Sequence, residues 1–216
     1  MPTETFFNLP EEKRVRLLDV LLDEFSQNDY DNVSIGRITE RAGIAKGSFY
    51  QYFADKKDCY LYLIQLAIEE KTTFLRRQPS EPSTDLFAHL RWLIEAGMQF
   101  QFRNPRLAHI AYKALFDDAP LPEETLNVIR RGGYAYFRSL VESGIANGLL
   151  DPRIDIDIAA FVLNAVFTEL GQHLMQRFGV LPDQLLVSGA DAFDYDDVRR
   201  AIHQVITILE TGLRKK

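Results

Sequence analysis

Among 216 residues there is one cysteine, Cys59, one tryptophan, Trp92, and three methionines. A single thiol excludes an internal disulfide framework. No apolar run is long and uncharged enough to cross a bilayer. The longest candidate, 154–178, is interrupted by Asp155, Asp157, Glu169 and His173, side chains that are costly in lipid. The first nine residues carry Glu4 where a secretory signal would have a basic run and then an apolar stretch. These absences predict a chain of the reducing cytoplasm with no membrane partner, in which the glycosylation triplet Asn32-Val33-Ser34 has no use.

Catalytic signatures are missing as well. There is no HExxH, CxxC, GxSxG or phosphate-cradling glycine loop, and the four histidines are His89, His109, His173 and His203. Glu169 and His173 stand four apart on one helix, but a metal site needs at least a third ligand, so the pair reads as solvated or as part of an interface. Cys59 reads as a semi-buried apolar residue rather than a redox thiol. The expectation is a chain that is not an enzyme and takes no metal or cofactor.

Basic charge is also in short supply, with 25 Lys and Arg against 31 Asp and Glu and a net charge of -6. Totals of this kind argue against a nucleic-acid partner. The distribution argues the other way. Between Ser34 and Lys57 the bases Arg37, Arg41, Lys46, Lys56 and Lys57 face only Glu40 and Asp55, a local excess of +3 against -9 over the rest of the chain. One short segment is therefore suited to a phosphate backbone while the acidic remainder limits nonspecific adhesion.

With 46% hydrophobic residues the chain can bury a sizeable core. Its apolar positions recur with a helical period, and no alternating runs joined by Asn-Gly or Asp-Gly mark a hairpin. The pattern predicts an all-α protein of about nine helices. The first starts near Pro10, favoured by Glu11 and Glu12, with Val15, Leu18, Leu22 and Phe25 as its inward stripe. Ser34 caps a short second helix through Ala42, with Ile35 and Ile38 facing inward, and Gly43 stops it. Lys46 to Phe53 forms a third, too short to stand alone and held by Phe49 and Phe53. Asp55 caps a long fourth helix carrying Tyr60, Leu63, Ile64, Ala67 and Ile68, which ends at Pro79 before a linker to Ser83. Further helices are predicted from Ser83 or Thr84 to Phe102, Arg106 to Phe116, Glu123 to Asn147, Ile154 to Phe178 and Tyr195 to about Leu213. Gly132-Gly133 is a candidate kink, Gly148 a C-cap, 117–122 a loop and 179–194 an irregular stretch.

Two short helices joined by a glycine turn, with an amphipathic helix before and a long one after, fit a helix-turn-helix in a three-helix head. The non-core side chains of the second short helix are Lys46, Ser48, Tyr50, Gln51 and Tyr52, and Gly47 lets the backbone come close to a partner. Lysine reaches guanine acceptors or phosphate, hydroxyls bond phosphate oxygens, glutamine pairs with an adenine edge, and an aromatic ring contacts a thymine methyl. On spacing alone a plain helical hairpin with a solvated polar face is the commoner explanation, and a protein-binding helical adaptor is another.

The run from Tyr30 to Leu63, YDNVSIGRITERAGIAKGSFYQYFADKKDCYLYL, closely resembles the N-terminal DNA-binding head of the TetR/AcrR family of transcriptional regulators. The resemblance rests on Ser34 at the cap, Ile38, Ala42-Gly43-Ile44 at the turn, Gly47-Ser48-Phe49-Tyr50, Tyr52-Phe53 and Lys56, and covers roughly residues 10 to 65. It implies that Lys46, Gly47, Ser48, Tyr50, Gln51 and Tyr52 face double-stranded DNA and that Ser34 and Lys56 hold its backbone, although an aromatic at the spacing of Tyr52 serves packing as often as contact. Gly36 stands where some members place a base-reading arginine, which leaves phosphate to the neighbouring Arg37.

The same resemblance implies a head over 1–56 and a larger helical ligand-binding and dimerisation domain over 57–216. The expected protein is a repressor that binds a palindromic operator as a homodimer through its last two helices and is released by a small effector. Ala159, Ala160, Ala165 and Gly171 would let those helices approach closely. Candidate effector contacts are Trp92, Phe100, His109, Tyr112, Phe116, Tyr134, Phe137 and Phe161. Most residues of this kind form core and a minority line a cavity. Their character favours an apolar or aromatic effector, such as a fatty acyl chain or a hydrophobic drug.

Overall fold

Local chemistry sets several of the helix ends. In the structure, a computed structural model, residues 1–78, 85–116, 121, 123–178 and 195–215 are described, with backbone alone at 116, 123–130, 172, 175 and 195. The expected linker at 79–83, the caps at Ser83 or Thr84, the loop at 117–122 apart from Leu121, and the stretch 179–194 lie outside the described residues. Ten α-helices are present among the described residues: α1 (Glu4–Phe7), α2 (Glu11–Gln27), α3 (Ile35–Ala42), α4 (Lys46–Tyr52), α5 (Lys56–Arg77), α6 (Leu86–Arg103), α7 (Pro105–Phe116), α8 (Glu123–Ala146), α9 (Ile156–Arg177) and α10 (Tyr195–Leu213). All nine expected helices are found, and α1 is additional.

Ser34 Oγ accepts the Arg37 N–H at 3.3 Å at the start of α3, and Asp155 Oδ1 accepts the Ile158 N–H at 2.9 Å at the start of α9. Asp55 Oδ1 accepts the Asp58 N–H at 2.7 Å and so caps α5. At the start of α6, Asp85 Oδ1 accepts the Phe87 N–H at 3.0 Å. Each side-chain oxygen satisfies one of the N–H groups that a helix start leaves unpaired. Gly43 ends α3 at φ 69°, a left-handed conformation that any residue with a Cβ resists.

The chain forms two compact units, one of Met1–Thr73 with Asn104–Pro122 and the other of Phe74–Arg103 with Glu123–Lys216. In the first, Phe6, Leu17, Leu21, Phe25, Ile38, Phe49, Phe53, Leu63 and Ile110 are fully buried. The inward stripe of α2 runs through Leu17, Leu21 and Phe25 rather than through Val15, Leu18 and Leu22: Val15 is exposed and the two leucines are partly so. Both α3 and α7 pack against α2, which broadens its buried face and recentres it. Ile68, expected to point inward from α5, is exposed.

The unit that contains the head also takes in α7, and two cations of α7 explain why. Arg106 Nη1 lies 2.7 Å from Asp23 and 2.8 Å from Asp19, and Lys113, itself buried, donates to the carbonyl oxygen of Asn28 at 2.6 Å. In the second unit Leu90, Val141, Leu150, Leu163 and Ile206 are wholly buried at the centre of the core. Here α8 runs unbroken through Gly132-Gly133. A Cβ on Gly133 would fall 2.8 Å from Asn164 Oδ1, so this glycine permits close packing of α8 on α9 instead of a kink.

Candidate nucleic-acid interface

Seven residues are too few to hold a helix by themselves, and Phe49 and Phe53 anchor α4. Both are fully buried, with ring centroids 5.4 Å apart. Helical spacing then turns Lys46, Gly47, Tyr50 and Gln51 outward, all of them exposed, with Ser48 half-buried beside them. Tyr50 is 49% exposed and sets its ring edge-on to Phe49 at 5.5 Å. A Cβ at Gly47 would meet nothing within 4 Å, so packing inside the unit does not require glycine there. Gly47 stands in the first turn of α4 and leaves the backbone open to approach from outside.

Three of the predicted contact residues are tied inward. Arg37 donates from Nε and Nη2 to Glu24 Oε1 at 2.9 and 2.6 Å, and from Nη2 to the Asn32 carbonyl at 2.5 Å. Glu24 is only 3% exposed and also accepts the Ser34 N–H at 3.1 Å, since a buried carboxylate must be paired. Lys56 Nζ donates to the carbonyls of Tyr30 at 2.8 Å and of Asp31 and Val33 at 3.3 Å. Tyr52 does not join the outer face. It is 7% exposed and its ring packs toward Phe6 at 6.4 Å, because it lies one turn from Phe49 on the inward side of α4. Ser34 is half-buried, and its hydroxyl oxygen serves the cap described above.

Glu24 is the residue that sequence reasoning passed over. The available signal was a carboxylate three residues after Leu21 and four after Val20, both on the buried side of α2. Beside it, Asp23 bonds Arg41 at 2.8 Å and Arg106 at 2.7 Å. Burial opposes ionisation of Asp23, yet the two guanidinium groups outweigh it and hold the carboxyl below its ordinary pKa.

Residues 17–63 match the family described as bacterial regulatory proteins, tetR family, and residues 84–214 match the tetracyclin repressor-like C-terminal domain. The chain belongs to the TetR family of transcriptional regulators. A solved TetR family transcriptional regulator from Chloroflexus aurantiacus J-10-FL is 69% identical over 100% of both chains, with a TM-score of 0.85. FadR of Bacillus subtilis, solved in complex with stearoyl-CoA, is 19% identical over 92% of this chain and 98% of its own, with a TM-score of 0.68, a likeness of fold alone. The chain spans about half the length of the regulator AcrR of Shigella flexneri, to which it is 28% identical over 110 residues, 49% of this chain and 51% of the relative. The family is one of DNA-binding transcriptional regulators.

The predicted effector residues of this TetR-family chain have separate surroundings. His109 and Tyr112 lie on α7 in the first unit, their rings 6.4 Å apart. In the second unit Phe100 and Phe137 are core, Phe100 against Phe74 at 5.7 Å and Phe137 against Phe167 at 4.8 Å. Tyr134 Oη donates to Asp157 Oδ1 at 3.0 Å, and Trp92 stacks on His89 at 5.4 Å. Phe161 is 61% exposed on the surface of α9. The side chain of Phe116 lies outside the described residues.

Val166 and Leu170 of α9 and Val205, Ile208 and Leu209 of α10 line an apolar hollow of about 360 Å³, with Glu169 and His173 on its wall. Among the described residues no cluster of three or more His, Cys, Asp or Glu side chains is placed to hold a metal, and no helix is long and apolar enough to cross a membrane. Ala159 and Ala160 are buried in the core of their own unit, so their small size serves internal packing. Cys59 is fully buried, and that burial raises its thiol pKa well above the ordinary value, which makes it a poor nucleophile.

Proposed function

We propose that this chain is a repressor that binds a palindromic operator as a homodimer and is released by a small apolar or aromatic effector. Residues 1–56 are the DNA-binding part and 57–216 the effector-binding and dimerisation part. The outer face of α4 carries the reading: Lys46, Tyr50 and Gln51 stand exposed around an open glycine, on a helix whose other face is locked by two buried phenylalanines. Lys46 and Ser48 bond phosphates, Tyr50 and Gln51 meet base edges, and Arg37, Ser34 and Lys56 hold the surrounding backbone in shape, with Ser34 and Arg37 reaching phosphate at its margin.

Dimerisation is supported by exposed apolar side chains on the last two helices, Ile158, Phe161 and Val162 on α9 and Ile208 on α10. Pairing through this face brings two recognition helices to successive major grooves, about 34–36 Å apart. The effector acts within 57–216, with Trp92, Phe100, His109, Tyr112, Phe116, Tyr134, Phe137 and Phe161 as the residues to test. It need favour the DNA-incompetent state by only about 1–3 kcal/mol. The protein acts in the cytoplasm, where operator DNA is found.

Affinity for the DNA upstream of its own coding region, measured at two salt concentrations, tests the reading. Tight binding that weakens steeply with salt is expected. If that segment is not bound, selection from random DNA decides, and failure to enrich any sequence overturns the proposal.

A further inference from the structure

The first nine residues stand outside every motif in the chain, yet they finish the recognition helix. The last carbonyls of a helix have no partner within it, and α4 ends on a surface loop. Two of these carbonyls are satisfied by one residue from the N-terminal segment. Thr3 Oγ1 donates to the Gln51 carbonyl at 2.6 Å, and the Thr3 N–H donates to the Tyr52 carbonyl at 2.9 Å. One helical turn later the segment inserts Phe6, wholly buried, with its ring 5.1 Å from Phe53, 5.4 Å from Tyr62 of α5 and 6.4 Å from Tyr52. Thus α1 packs against α4 and fills the corner between the end of α4 and the start of α5.

From this we infer that Thr3 and Phe6 are positioning residues for operator binding: they set the pitch and order of α4, and so the placement of Tyr50 and Gln51, without touching DNA. The inference rests on the reading of α4 as the DNA-contacting helix. Its physical basis is that α4 is too short to be ordered by its own hydrogen bonds. The inward face is held by Phe49 and Phe53, but a helix held along one face can still fray from its end. Thr3 closes that end, and Gln51 lies within the closed turn.

The test uses the full chain with Thr3→Val, Thr3→Ser and Phe6→Leu, and two readouts. One is amide hydrogen exchange of residues 46–53 in the DNA-free protein. The other is affinity for a DNA sequence selected by the wild-type chain. Valine keeps the shape and the backbone donor but loses the hydroxyl, and serine restores the hydroxyl. Thr3→Val is expected to speed exchange within α4, leave α2 and α5 protected, and weaken DNA binding by up to about fivefold, the limit set by one neutral hydrogen bond. Thr3→Ser is expected to restore both readouts, and Phe6→Leu to move both in the direction of Thr3→Val.

Unchanged exchange in α4 with unchanged affinity overturns the inference. So does weaker binding with unchanged exchange, which would make Thr3 a direct DNA contact. Faster exchange spread equally over α2 and α5 overturns it too, as a general loss of stability. A wild-type chain that selects no DNA sinks the proposed function instead, and the exchange measurement still decides whether the N-terminal segment orders α4.

Discussion

Lys56 Nζ sits 2.8 Å from the carbonyl oxygen of Tyr30 and 4.4 Å from the centroid of the ring of the same residue. The first turn of α5 is thereby clamped to the 3₁₀ turn Tyr30–Asn32 that leads into α3. Replacing Lys56 by Met keeps the stem and removes the charge. Hydrogen bonds from charged groups contribute about 1.5–3 kcal/mol, so urea unfolding is expected to show a loss near the lower end of that range, because the side chain is partly exposed. The salt slope of DNA binding should stay as in the wild type. Unchanged stability with a slope reduced by about 0.9 would instead mean that the ammonium neutralises a phosphate.

Glu24→Gln removes the charge that Arg37 and the Ser34 N–H share. Breaking a fully buried pair typically costs about 3–5 kcal/mol, but Arg37 keeps about half of its surface in water, so about 1–2 kcal/mol is expected here. The denaturant midpoint should fall with an unchanged m-value. A midpoint equal to wild type would show that the pair contributes nothing to the fold.

Substitutions on the outer face of α4 should separate binding from folding. Lys46→Ala and Tyr50→Ala change exposed side chains, so stability should stay within about 0.5 kcal/mol of wild type. Operator affinity should drop in both, and the salt slope should fall by about 0.9 in Lys46→Ala alone. Full operator affinity in both variants would remove α4 from the DNA interface.

On the last two helices, Phe161→Glu and Ile208→Glu place charge at positions that are 61% and 71% exposed in the single chain. Folding should be retained, since neither side chain belongs to the core. Sedimentation velocity should show monomers, and operator affinity should be lost with the dimer. Dimers that persist in both variants would place the interface elsewhere.

His89 lies 2.9 Å from Tyr136 Oη and stacks on Trp92, and its burial lowers its pKa below the ordinary 6.5. Between that lowered value and 6.5 the unfolded chain binds a proton that the folded chain does not. Stability is therefore full above about pH 6.5 and declines as pH falls through this window. His89→Gln keeps a hydrogen-bonding group toward Tyr136 and removes the titration. Denaturant midpoints at about pH 7.5 and 5.5 should differ less in this variant than in the wild type. An equal difference would mean that other groups carry the dependence.

Much of the fold was legible because its signals are local. Ser34 and Asp55 cap helices through bonds spanning three residues, and Gly43 takes a backbone conformation that its neighbours would resist. The predicted span Tyr195–Leu213 is the observed one. By contrast α1 was not legible, since a single turn shows no period and owes its order to Phe6 in a pocket made by α4 and α5. The family resemblance assigns Lys56 and Arg37 to the DNA backbone, and it carries no sign of their bonds inside the head. The carbonyls and the carboxylate that capture them lie at positions 24 to 33, a separation that no spacing rule covers.

Sequence alone specifies the helical class, the helix ends at Ser34, Gly43 and Asp55, the family, and the outward set on α4 apart from Tyr52, all of which depend on neighbours within a few residues. Tertiary structure alone decided which face of α2 is buried, which basic residues are engaged inside the head, and which apolar side chains of α9 and α10 are left bare. Those outcomes depend on which helix packs against which, and a helical period specifies that a face is apolar without naming the surface that will cover it.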